Sequence, residues 1–221
     1  MEGHLTTFSV RSGARLPVFQ AGPPALNLPN QLTVSRFFLT GLFLAVMFGR
    51  FPGHESVALL LFSLAGITDF LDGRIARQRG LITQFGILMD PLADKILTCS
   101  AFIAFVGRGL MPAWMVVIIV ARELAITGLR LLAASQQVVL GAERFGKHKT
   151  ISQIVAILSV LTVLSYPQWG AVGESIFGGR IFGVAWTVQV ATVSKWVSVA
   201  LTLFSGGVYL WRNRALYLKD M

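Results

Sequence analysis

A chain of 221 residues with 54% hydrophobic and 13% charged residues, and a mean hydropathy of +0.69, lies far from soluble-domain composition and reads as an integral membrane protein. Its formal charge of +9 is dispersed among apolar blocks with no nucleic-acid-binding motif, so anionic lipid head groups account for it better than nucleic acid does. The lone Cys99 excludes a disulfide framework and a paired-cysteine metal site.

The first 30 residues contain no early apolar run of the signal-peptide kind, and PPALNLPN is rich in turn formers. They read as a juxtamembrane segment, 1–30, that is either a disordered tail or a short surface helix. The helix would set Phe8, Val10, Leu16, Val18 and Phe19 near Arg11 and Arg15. Beyond it the apolar residues come in solid blocks, not in the alternating stretches of about ten that build a membrane barrel. A hydrocarbon core of about 30 Å takes roughly 20 residues per helix. The blocks predict spans over 32–48, 57–75, 85–106, 112–132, 151–166 and 194–211. The expected fold is therefore all-α, a six-transmembrane-helix bundle forming one domain over 31–214, with a tail at 215–221. The segment 167–193 reads either as a partial or re-entrant helix or as an external loop.

Basic residues orient this path. Arg11, Arg15, Arg74, Arg77, Arg79, Arg144, Lys147, Lys149, Arg212, Arg214 and Lys219 fall on one side, and Arg50, Arg108, Arg180 and Lys195 on the other. The positive-inside rule then makes both termini cytoplasmic, together with the loops after the second and fourth spans. Trp114, Trp169, Trp186, Trp196 and Trp211 sit near span ends, as interfacial aromatics do.

The stretch 69–95, DFLDGRIARQRGLITQFGILMDPLADK, carries four of the chain's ten acidic residues at the cytoplasmic ends of two consecutive spans. Each charge at membrane depth costs on the order of 3 kcal/mol, so four together require compensation. Asp69 and Asp72 are three apart, Asp90 and Asp94 four apart, and each pair shares a helix face. Two such faces form an all-oxygen donor set of the kind hard divalent cations prefer, and a paired-metal centre would use all four. Lys95 and Arg77 are the alternative source of neutralising charge. Gly73, Ala76 and Gly86 leave room for an approaching group, or serve close helix packing. Pro91 removes a helical hydrogen bond and is expected to bend the third span.

Asp69-x-x-Asp72-Gly73-x-x-Ala76-Arg77, eight residues, then Gly86-x-x-x-Asp90-x-x-x-Asp94 resembles the full signature of the CDP-alcohol phosphotransferase family at all eight positions. NLPNQLTVSRF, DPLADK, AREL with a later arginine, and FGKHKT are similar to its bacterial phosphatidylglycerophosphate-forming branch, over about 27–157. The resemblance implies a six-helix bundle in a bacterial-type inner membrane, its active site facing the cytoplasm. It implies a homodimer and two divalent cations, Mg²⁺ or Mn²⁺. Carried over, Asp69, Asp72, Asp90 and Asp94 would ligate metal, with Asp94 also the catalytic base. Asp72, Gly73, Ala76, Arg77 and Gly86 would bind the cytidine nucleotide. The implied reaction moves the phosphatidyl group of CDP-diacylglycerol to sn-glycerol 3-phosphate, giving phosphatidylglycerophosphate and CMP.

Arg122, Glu123 and Arg130 lie in or beside the fourth span, with Glu123 and Arg130 nearly on one face. They form either an ion pair or an anion site, since arginine forks grip phosphate oxygens bidentately. The resemblance makes Arg122, Arg130, Lys147 and Lys149 the acceptor-phosphate residues. For the two lysines the plain alternative is a basic flank, and His148 is equally able to be idle. Arg36 either snorkels to the interface or reaches a phosphate, and His4 and His54 read as surface residues. Other family acceptors, inositol phosphate, serine or phosphatidylglycerol, are the nearest alternative function. A cation transporter is the alternative of a different class, disfavoured because the acids sit at span ends and no inverted repeat is present.

Overall fold

The computed structural model describes residues 28–79, 84–135 and 144–214, the side chains of 28–33, 69–79, 84–91, 93, 94, 134, 135, 144 and 145 excepted. The juxtamembrane segment, apart from its last residues, and the tail lie outside the described residues. The elements are α1 (Leu28–Met47), α2 (His54–Arg79), α3 (Gln84–Gly107), α4 (Ala113–Ser135) and α5 (Arg144–Ser165). A 3-10 turn (Tyr166–Trp169), α6 (Gly170–Phe177), β1 (Arg180–Ile181), β2 (Val184–Ala185) and α7 (Trp186–Arg212) follow. Every expected span coincides with one of the long helices, which run from 20 to 27 residues. Two stretches among the described residues, Gly146–Phe177 and Trp186–Arg212, are long and apolar enough by length and composition to cross a membrane.

Large side chains fill the middle of the bundle: Phe43 and Met47 from α1, Phe102 and Phe105 from α3, Ile119 from α4, Ile157 and Leu161 from α5. Fully buried alanines, Ala58, Ala101 and Ala156, let the backbones approach where no side-chain volume is available. Helix α1 packs on α2 and α3, α5 on α2 and α7, and α4 on α3 and α7. The outer surface is apolar, with Phe38, Ile67, Val117, Leu124, Val193 and Phe204 exposed, as suits a surface facing hydrocarbon rather than water.

Two helix starts differ from the expected spans by seven or eight residues. Helix α5 begins at Arg144, seven residues before 151, because its basic first two turns are helical too. Helix α7 begins at Trp186, eight residues before 194, because its first turn is anchored. The Trp186 backbone N–H donates to the Gly179 carbonyl at 2.9 Å, Thr187 Oγ1 donates to the Phe177 carbonyl at 3.1 Å, and the Trp186 ring stacks on Phe177 at 6.2 Å. The segment between the last two long helices is thus a short helix and a hairpin. Phe182 and Gly183, at φ 53° and 80°, form the two-residue turn that the twist of paired strands favours. Gly173 sits where a Cβ would fall 2.2 Å from the Tyr166 carbonyl oxygen, so the turn into α6 admits no larger residue.

Side-chain contacts define two ends. At one, Arg108 donates to Glu55, and Lys195 donates to the Leu110 carbonyl at 2.9 Å. Trp114 packs on Trp196 at 5.7 Å nearby. At the other, the first turns of α5 meet the middle of α4 and Lys95 in the middle of α3.

Candidate active site

Glu123 is the centre of the second end. It lies on α4, 2% exposed, where an unpaired carboxylate would cost several kcal/mol. Lys149 Nζ from α5 contacts Oε1 directly. Arg122 Nη1 lies 3.5 Å from the same oxygen, and Lys95 Nζ from α3 lies 3.6 Å from Oε2. Gln153 Nε2 donates to Oε1 at 3.3 Å and to Thr202 Oγ1 of α7 at 3.4 Å. Among the described residues, three cations and an amide converge on one carboxylate. Such a gathering of cationic donors inside a helix bundle is suited to receiving an anion.

The arginines of α4 reach α7. Arg122 Nη2 donates to Ser205 Oγ at 3.3 Å, while its Nε is buried with no hydrogen-bond partner among the described residues. Gly206 makes this approach possible, because a Cβ there would stand 2.8 Å from Arg122 Cγ. Arg130 Nε donates to Tyr209 Oη at 3.3 Å, and its guanidinium carbon lies 5.5 Å from the centre of that ring. Glu123 and Arg130, although on one face of α4, therefore take separate partners. Lys147 and His148 are exposed on the first turns of α5, whereas Lys149 is buried.

Beside the cluster is a cavity of about 110 Å³ whose polar lining is Arg36, Lys95, Thr98, Thr150 and Gln153. Phe62, Leu97 and Ile154 add apolar wall, Ala65 and Gly66 of α2 line it a few residues before the first signature residue, and Lys95 immediately follows the last. Asp69, Asp72, Gly73, Ala76 and Arg77 are helical residues of α2, and Gly86, Asp90 and Asp94 of α3. Their side chains lie outside the described residues. Both acid pairs keep helical register, and α3 runs through Pro91 as one helix. Four carboxylates at those spacings fit a hard divalent cation by donor chemistry.

Gln153, Thr202, Ser205 and Tyr209 were not singled out from sequence. Their signal was present. Ser198, Thr202, Ser205 and Tyr209 recur every three or four residues as a buried polar stripe along the otherwise apolar α7.

The model of the CDP-alcohol phosphatidyltransferase family matches residues 26–204, which takes in the signature and every cluster residue except Ser205 and Tyr209. The chain belongs to the CDP-alcohol phosphatidyltransferase family. This phosphatidyltransferase is 36% identical over 205 residues to the CDP-diacylglycerol--glycerol-3-phosphate 3-phosphatidyltransferase of Bacillus subtilis (strain 168), covering 85% of this chain and 95% of that one. It is 32% identical over 183 residues to the protein of that name in Rickettsia typhi, covering 83% and 94%. It is 32% identical over 203 residues to that of Mycoplasma pneumoniae, covering 83% and 86%. As a member of a phosphotransferase family the chain is an enzyme.

Proposed function

We propose that this phosphatidyltransferase moves the phosphatidyl group of CDP-diacylglycerol to sn-glycerol 3-phosphate, yielding phosphatidylglycerophosphate and CMP. The relatives' names support the reaction. The observation that carries the acceptor's identity is the convergence of Lys95, Arg122 and Lys149 on the single carboxylate of Glu123. A phosphorylated acceptor brings the negative charge such a cluster calls for.

In this reading Asp69, Asp72, Asp90 and Asp94 hold two divalent cations, Mg²⁺ or Mn²⁺. When bound, these supply charge neutralisation at the pyrophosphate. Asp72, Gly73, Ala76, Arg77 and Gly86 receive the cytidine nucleotide, the small residues allowing close approach to the backbone. Arg122, Arg130, Lys147 and Lys149 recognise the acceptor phosphate and so orient the glycerol hydroxyl. That oxygen attacks the lipid-side phosphorus, the bond from this phosphorus to the bridging oxygen breaks, and CMP departs with the bonding pair. Asp94 takes the hydroxyl proton. The six long helices span a bacterial-type cytoplasmic membrane as a homodimer, with both termini and the site on the cytoplasmic side.

The test is CMP release by detergent-purified protein given CDP-diacylglycerol and Mg²⁺ or Mn²⁺, with and without sn-glycerol 3-phosphate, and with Asp94→Asn as blank. Metal-dependent release that requires the acceptor is expected. Release with no dependence on sn-glycerol 3-phosphate would overturn the assignment.

A further inference from the structure

We infer that Glu123 is a positioning residue for acceptor recognition, acting through the polar groups it holds rather than by touching substrate. It does not line the cavity beside the cluster, yet Lys95 and Gln153, two of that cavity's polar lining residues, are each held by one of its oxygens. Lys149 and Arg122 share Oε1 with Gln153, so Oε1 gathers α5 and the α4 arginine while Oε2 faces α3. One planar carboxylate thereby sets the relative placement of groups from three helices. Gln153 extends the arrangement to Thr202 of α7.

Buried ion pairs and triads that are merely structural are often replaceable by apolar residues without loss. Glu123 instead gathers three cations and an amide, and it keeps like charges close together at the place where the proposed reaction needs a phosphate bound. Removing it would leave those cations to repel one another and to relax toward solvent or toward other acids. The consequence falls on the acceptor's binding geometry and not on the nucleotide lipid.

The inference rests on the reaction proposed above, and the experiment separates the two. Initial rates of CMP release are measured on the full-length protein in detergent while each substrate is varied in turn. Glu123→Gln is expected to raise KM for sn-glycerol 3-phosphate about tenfold or more, with KM for CDP-diacylglycerol within about twofold. Glu123→Asp, which retains the charge, is expected to restore most of that loss. Lys149 is itself an acceptor residue in this reading, so the double variant Glu123→Met/Lys149→Met is compared with Lys149→Met alone, and removing Glu123 as well is expected to raise the acceptor KM further with little change in melting temperature. Equal rises in both KM values, a wild-type acceptor KM in the Gln variant, or a double variant no weaker for acceptor than Lys149→Met alone, would reduce Glu123 to a structural role. If the wild type releases CMP only with another alcohol, the reaction assignment fails, and the same KM comparison with that alcohol still decides the role of Glu123.

Discussion

At the end formed by residues 48–53, 108–112 and the 3-10 turn, the partly exposed Glu55 pairs with Arg108 and lies 3.4 Å from His54 Nε2. Arg108 donates to Glu55 at 2.9 Å, Gln168 donates to the other Glu55 oxygen, and Ser56 Oγ donates to Gln168 at 3.0 Å and accepts from Trp169 Nε1 at 2.9 Å. This network ties α2 to the α3–α4 turn and to the end of α5. At the signature end, among the described residues, Lys95, Arg122 and Lys149 meet the one carboxylate of Glu123, a guanidinium nitrogen of Arg122 is buried without a described partner, and Arg36 and Arg130 stand close by. Arginine and glutamate occur at both ends. The burial and the number of described cations on one carboxylate tell them apart: a partly exposed acid closes the bundle, and a buried one that gathers three cations suits recognition of an anion.

This contrast can be broken or sharpened by substitution. The largest effect belongs to Asp94→Asn, expected to cut phosphatidyl transfer about a hundredfold or more with the melting temperature in detergent retained. Near-normal turnover would remove Asp94 from the chemistry. Arg130→Ala is expected to raise KM for the phosphorylated acceptor about tenfold and KM for CDP-diacylglycerol much less. Equal effects on the two would make its Tyr209 contact structural. Arg108→Ala, at the opposite end, is expected to cost about 1 kcal/mol of stability and to leave both KM values unchanged. A change in acceptor KM there would erase the distinction between the ends. The smallest effect is expected for the exposed Lys147, where Lys147→Ala raises acceptor KM about threefold and no more, because a solvated charge contributes weakly.

The six long helices were readable from sequence because each is a solid apolar block near the length a bilayer requires, with charged or glycine-rich breaks between. The signature was readable because its spacings are periodic on a helix, and α2 and α3 are helical across all eight positions. Two helix starts were not. The basic first turns of α5 and the anchored first turn of α7 lack the apolar run that marks a span, and tertiary contacts hold them helical. The partners of Glu123 were beyond reach for a different reason. Lys149 is 26 positions away, and only the packing of α4 against its neighbours decides which basic residue turns inward. Hence Lys147 and Lys149, alike in sequence and two residues apart, end up exposed and buried respectively. Arg36, which sequence alone left between snorkelling and phosphate binding, lines the interior cavity with Lys95.

The central claim is that the end around Glu123 receives a phosphorylated acceptor. The most direct measurement compares CMP release from CDP-diacylglycerol with sn-glycerol 3-phosphate against release with unphosphorylated glycerol, under identical metal and detergent conditions. The account predicts turnover with the phosphate ester and little or none with glycerol, and an excess of inorganic phosphate competing with the ester. Equal use of the two alcohols would contradict it.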